Sequence, residues 1–185
     1  MKFTHSPLPG AYVVDIEPMG DERGFFARMW CREEFQALGL STVVEQSSIS
    51  FNRKKGTLRG MHYQAAPHEE VKLVRCTRGA IYDVILDLRK ESLAFCRWFA
   101  VELTAENGKM VYVPAGFAHG FQTLADQSEV FYQISEVYRP EMARGVRWND
   151  PAFQIEWPIA NPILSARDRS YPDFAANLER LPANR

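Results

Sequence analysis

The chain is predicted to fold as an all-β sandwich or barrel, and three observations carry that expectation. Short segments of alternating or continuous apolar residues recur along most of its 185 residues, each bounded by Gly, Pro, Asn or Asp. One stretch alone shows a clear helical period before the C-terminal region. An apolar content of 46% at this length supports one sizeable core, so residues 1–185 are read as a single domain.

The first strand is placed at residues 11–17, between Gly10 and Pro18. Residues 31–40 carry the helical pattern, since Phe35 and Leu38 fall three apart and Gly39 supplies a stop. Strands follow at residues 71–76, at 80–88 behind Gly79, and at 94–103. Residues 109–113 form a strand between Gly108 and Pro114, and residues 129–137 form the last one. A second short helix is placed after Pro172-Asp173. No low-complexity tract, linker or short-period repeat interrupts the series.

Successive side chains of a strand point to opposite faces, so Lys72, Val74 and Cys76 share one side, as do Val130, Tyr132 and Ile134. Tyr132 is expected to face the interior, and Lys72 to sit among small interior groups. The ordinary alternatives are a lysine that reaches out to solvent and a core tyrosine with a satisfied hydroxyl.

Composition excludes several classes. The apolar runs are broken by charge well short of the ~20 residues a membrane span needs. The opening Met1-Lys2-Phe3-Thr4-His5-Ser6-Pro7 has no apolar signal stretch, so a cytoplasmic protein is expected. Cys31, Cys76 and Cys96 are scattered, without a C-x-x-C pair, and are expected to be buried thiols. A net charge of -1 and a pI near 6.4 argue against nucleic acid as a partner, so any anionic ligand must be small.

The densest motif is Lys55-Gly56-Thr57-Leu58-Arg59-Gly60-Met61-His62-Tyr63-Gln64. It sets an arginine and a histidine three residues apart among glycines that let backbone approach a ligand, an anion clamp beside a titratable base. A second motif runs Gly108, five residues, Pro114, one residue, Gly116, two residues, His119. That pattern resembles the second sequence motif of the cupin superfamily, whose small jelly-roll barrels hold sites in their interiors. Metal-dependent cupins also bring H-x-H and a downstream Glu, whereas this chain reads His62-Tyr63-Gln64 and places His68 too far along to compensate. No metal is expected.

Six ordered blocks narrow the resemblance: Asp21-Glu22-Arg23-Gly24-Phe25-Phe26, residues 56–64, Lys72-Leu73-Val74-Arg75, residues 116–121, Arg147-Trp148-Asn149-Asp150-Pro151 and Leu164-Ser165-Ala166-Arg167-Asp168. The chain resembles the dTDP-4-dehydrorhamnose 3,5-epimerase family of nucleotide-sugar enzymes, metal-free members of the cupin superfamily, from about residue 12 to residue 174. The resemblance implies a cupin-type jelly-roll β-sandwich or barrel with a few short peripheral helices. It implies no cofactor, a nucleoside-diphosphate 4-keto sugar as substrate, and a homodimer.

It also implies roles. His62 removes the proton beside the C4 ketone, Tyr132 returns one on the opposite face, Asp168 partners the histidine and Lys72 contacts the ketone. Arg23 and Arg59 become the diphosphate contacts and His119 a further substrate-side histidine. Phe26, Gln46, Tyr138 and Arg167 join the substrate contacts, Tyr138 in a position resembling a nucleotide-stacking tyrosine. The chemistry suits these residue types. A proton α to a ketone needs an unprotonated base near neutral pH, and the enolate oxygen needs a preformed positive charge.

Three positions depart from the family pattern. Arg28 stands where the family usually has glutamate, Ser48 where it has asparagine, and Ala143 where another glutamate is common. These positions belong to substrate recognition, so the nucleotide base and the choice of C3, C5 or both stay open. Two rival functions are a metal-dependent oxygenase or isomerase using His62, His119 and a carboxylate, and a non-catalytic sugar-nucleotide binding module.

Overall fold

The computed structural model describes residues 1–174. Among them the chain forms β1 (Lys2–His5), β2 (Tyr12–Asp15), β3 (Met19–Asp21), β4 (Gly24–Phe26), α1 (Arg32–Ala37), β5 (Gln46–Asn52), β6 (Leu58–Gln64) and β7 (Lys72–Arg78). Then come β8 (Ala80–Asp87), β9 (Trp98–Thr104), β10 (Met110–Val113), β11 (Phe117–Thr123), β12 (Ser128–Ile134), β13 (Ala143–Gly145) and α2 (Ala166–Arg169). Two antiparallel sheets, ordered β1-β2-β10-β7-β12-β5 and β13-β6-β11-β8-β9, face each other, while β3 and β4 make a separate hairpin. The all-β jelly-roll expectation is met.

Alternation explains why the sheets stack. Val74, Cys76, Val111, Val113 and Val130 of the first sheet meet Ile81, Ile85, Leu103, Phe117 and Phe121 of the second in one buried core. The opposite face of β8 is also apolar: Val84 and Leu86 pack with Met61, Ala118, Val146, Phe153 and Ile155, so the chain from about residue 146 onward covers that sheet. Phe35 of α1 seals Leu73, Met110 and Tyr112 on the outer face of the first.

The structure adjusts several expectations. The helix expected over residues 31–40 closes at Ala37, with Gly39 at φ +68, so Phe35 is buried while Leu38, past the last turn, is 43% exposed. The strand expected from residue 94 begins at Trp98, because Cys96 adopts φ +62 and its amide turns back to the Asp87 carbonyl. Only Cys76 is a buried thiol; Cys31 and Cys96 are half-buried, each lying outside a core strand. Strands β1, β3, β4, β5, β6, β11 and β13 were not anticipated, and neither was α2. The helix expected after Pro172-Asp173 lies outside the described residues.

Candidate active site

β6 carries Arg59 and His62 on one face although an interval of three should point them apart. The register explains it. His119 pairs with His62, but Phe121 pairs with Arg59, so β6 accommodates one extra residue between them. This β-bulge turns both side chains the same way. Gly60, at φ +141, sits in it, and a Cβ there would stand 2.6 Å from Gly120 Cα. Gly60 therefore serves a bulge and a close strand approach.

The sheets open at one end onto a cavity of about 310 Å³. Arg59, His62 and His119 reach it from β6 and β11, and Ser48, Lys72 and Tyr132 from β5, β7 and β12. The pairing Val74↔Tyr132↔Ser48 and Lys72↔Ile134 aligns the second wall. Lys72 and Tyr132 thus face inward, as alternation implied, and Lys72 is 8% exposed.

His62 Nε2 lies 2.6 Å from Asp168 Oδ1. An ionised carboxylate only accepts, so the imidazole donates from Nε2 and keeps its lone pair on Nδ1. The Asp168 side chain is 5% exposed and that of His62 37%, a buried carboxylate behind an accessible ring. Ser165 N-caps α2, its hydroxyl accepting from the Asp168 amide at 3.0 Å, and so fixes the carboxylate's backbone. Burial works to raise the Asp168 pKa, but the His62 hydrogen bond and charge, Ser165 and the Gly60 amide outweigh it, and the carboxyl falls below its ordinary value.

Tyr132 stands edge-on to His119, with ring centroids 6.0 Å apart. Burial pushes its phenol well above the ordinary value, the Asp83 carboxylate adds to the rise and Arg59 opposes it. The hydroxyl is thus held in its proton-donating form. Arg59 Nε donates to Asn52 Oδ1 at 2.7 Å, and Asn52 is itself buried and tied to the Ser50 and Ser128 carbonyls. That contact orients the guanidinium by one edge.

These observations define a histidine–aspartate pair on one wall, a buried phenol and a lysine on the other, and an oriented guanidinium between the sheets. A model of the dTDP-4-dehydrorhamnose 3,5-epimerase family matches residues 5–176. The chain belongs to that family. It is 40% identical over 169 residues to the dTDP-4-dehydrorhamnose 3,5-epimerase of Shigella flexneri, covering 91% of this chain and 93% of the relative. The crystal structure of the Elizabethkingia anophelis dTDP-4-dehydrorhamnose 3,5-epimerase superposes with a TM-score of 0.92 at 37% identity, over 95% of this chain and 97% of that one. A 3′-monoepimerase from Streptomyces bikiniensis in complex with dTDP-quinovose gives 0.87 at 34% identity, over 96% and 91%.

Within this epimerase-family fold, the expected contacts divide. Ser48, Arg59, His119, Tyr138 and Arg167 line the cavity with His62, Lys72 and Tyr132. Gln46 does not line it; its side-chain Oε1 accepts from the Tyr138 amide at 2.6 Å and so holds the backbone that presents that ring. Arg23, Phe26 and Arg28 are not brought to the cavity within one chain. Arg23 and Phe26 stand on the β3–β4 hairpin, Arg23 paired to Asp21 and Phe26 67% exposed, and Arg28 pairs with Glu34 at 3.1 Å. The hairpin pairs only with itself among the described residues, and Arg28 follows it outside both larger sheets.

Of the positions that depart from the family pattern, Ser48 and Ala143 line the cavity and Arg28 does not. Among the described residues no three His, Cys, Asp or Glu side chains converge as a metal-holding group. None of their helices is long and apolar enough to cross a membrane.

Several residues at the site escaped the sequence reading. Asp83, 1% exposed, receives His119 Nε2 at 2.8 Å; a carboxylate inside the apolar run of residues 80–88, on the same side as Ile81 and Ile85, was a usable signal. Gln64, in the place where metal cupins carry their second histidine, accepts from the Arg139 amide and donates to the Val137 and His68 carbonyls, fastening the segment around Tyr138. Tyr171 lies 6.2 Å from His62, flush on Gly145, and accepts from Arg167 Nε. Glu70 and Arg144 also line the cavity.

Proposed function

We propose that this chain epimerises C3 and/or C5 of a nucleoside-diphosphate 4-keto-6-deoxy sugar, dTDP-4-dehydro-6-deoxyglucose or a close relative, without a cofactor. The observation that carries the reading is the His62–Asp168 dyad on one wall of a cavity whose other wall presents Tyr132 and Lys72.

His62 Nδ1 takes the proton from the carbon beside the C4 ketone. The C–H electron pair moves into the enolate, whose oxygen meets the Lys72 ammonium. Tyr132 donates its hydroxyl proton to the opposite face, and solvent returns imidazolium and phenolate to their starting forms. General acid–base help of this kind is worth ~10²–10⁴ in rate, and a preplaced donor at the enolate oxygen on the order of 10²–10³. Asp168 stabilises the imidazolium that forms and fixes its tautomer. Arg59 holds the diphosphate through a paired-donor edge, with His119 and Arg167 beside it and the Tyr138 ring against the nucleotide base.

The reading includes a homodimer. Strand β5 is a sheet edge bearing Ile49, 64% exposed, and the β3–β4 hairpin leaves Met19, Phe25 and Phe26 each about two-thirds exposed. Apolar surface of this kind on an open edge is buried well by a second copy. Arg23 and Phe26 then reach a partner's cavity, which reconciles their expected role with their distance from their own. The free thiols suit a reducing compartment, and the cytoplasm is the proposed location.

Incubation in D₂O with dTDP-4-keto-6-deoxyglucose, and with its CDP and GDP counterparts, tests the reading. Deuterium should enter at C3, C5 or both, and should still do so after chelator treatment. Binding without exchange supports a non-catalytic module; exchange abolished by chelator and restored by metal supports a metal enzyme.

A further inference from the structure

The cavity is cationic, lined by Arg59, Lys72, Arg144 and Arg167, and Glu70 is the one carboxylate among its described lining residues. Glu70 Oε1 lies 2.7 Å from Lys72 Nζ, and both side chains are 10% exposed. Glu70 lies two residues before β7 begins at Lys72, and the segment entering the strand folds its carboxylate onto the ammonium. A buried carboxylate in a pocket for a dianionic substrate costs affinity unless its position has a use.

The position suggests one. An ammonium is a strong point-charge binder of phosphate. Lys72 stands on the wall beside Tyr132, where Lys72 pairs with Ile134 two residues along β12. A bare ammonium there competes with the arginines for the diphosphate and seats the substrate backwards. A carboxylate in contact repels phosphate while leaving the ammonium two further N–H donors for a neutral carbonyl oxygen.

We propose that Glu70 is a specificity-determining residue that reserves Lys72 for the ketone by keeping phosphate off it. The inference rests on the epimerase reading for the role of Lys72, but the pair itself can be probed without turnover.

Calorimetry with inorganic pyrophosphate on the parent, Glu70→Gln, Lys72→Met and the double variant provides that probe. Glu70→Gln should bind pyrophosphate more tightly, on the order of tenfold, and the gain should vanish in the Lys72→Met background. In steady-state epimerisation, Glu70→Gln should lower kcat and KM together with kcat/KM held, the signature of non-productive binding. Loss of a carboxylate that acts only through the cavity's overall charge tightens pyrophosphate with or without Lys72. Pyrophosphate affinity equal to the parent's, or a gain that persists without Lys72, overturns the proposal. A parent protein that exchanges no deuterium defeats the epimerase reading instead, and the calorimetry still reports on the pair.

Discussion

His62 and His119 are cross-strand partners on β6 and β11, and each turns Nε2 to its own buried carboxylate, Asp168 at 2.6 Å and Asp83 at 2.8 Å. The two dyads differ in access. The His62 side chain is 37% exposed and that of His119 5%, so His62 is the ring that can meet a carbon acid while His119 stays in the wall.

Asp168→Asn tests the tautomer. An amide can donate to Nε2 and favour the form with hydrogen on Nδ1, which removes the lone pair from the reacting side. Deuterium exchange into substrate, measured at a temperature where both proteins are folded, should fall by at least about 10². Exchange within twofold of the parent, about the noise of such assays, contradicts the dyad's role.

The same carboxyl couples stability to acid. Its folded pKa lies below the ordinary 3.8, so its contribution is fully present above that value and is lost as pH falls below 3.8 through the folded value. Denaturant midpoints of parent and Asp168→Asn should differ at about pH 6 and converge toward about pH 2. A gap independent of pH means the carboxylate is not ionised against His62.

Tyr132 should remain protonated where an ordinary phenol, with a pKa of 10.0, is half ionised, because burial and Asp83 raise its value. Ultraviolet titration of parent and Tyr132→Phe should therefore show the same tyrosinate signal at that pH. An extra tyrosinate in the parent places the phenol in contact with bulk water.

How much of this was legible depended on what each strand had to bury. β7, β8, β10 and β12 announce themselves through apolar or alternating runs, and the faces of Lys72 and Tyr132 followed from parity alone. β11 is buried throughout, and its glycine and histidine read as a motif and not as a strand. β6 is interrupted by Gly60, and its bulge makes the shared face of Arg59 and His62 invisible to a period of two. β5 is a Ser-rich edge with little to bury. The resemblance named His62, Asp168, Lys72 and Tyr132; the apolar run around Asp83 marked that carboxylate but not its His119 partner, and Glu70 emerged only from its contact with Lys72. Arg23, Phe26 and Arg28 show the opposite limit: the resemblance implied substrate contacts, and within one chain all three lie outside the cavity lining.

Gly60→Ala should destabilise the fold by roughly 1–3 kcal/mol, as overpacking does. Its Cβ would stand 2.6 Å from Gly120 Cα and 3.2 Å from the His119 carbonyl, on a residue at φ +141. Because it distorts the bulge, activity should drop more than stability alone explains. An unchanged denaturant midpoint contradicts the close approach of β6 and β11.

The central claim is that two groups on opposite walls handle hydrogen on opposite faces of one sugar ring. The most direct measurement follows deuterium and configuration together in Tyr132→Phe incubated in D₂O with the substrate the parent turns over. The expected result is label entering at the parent's positions with retained configuration and little inverted product. Full epimerisation by that variant contradicts the claim.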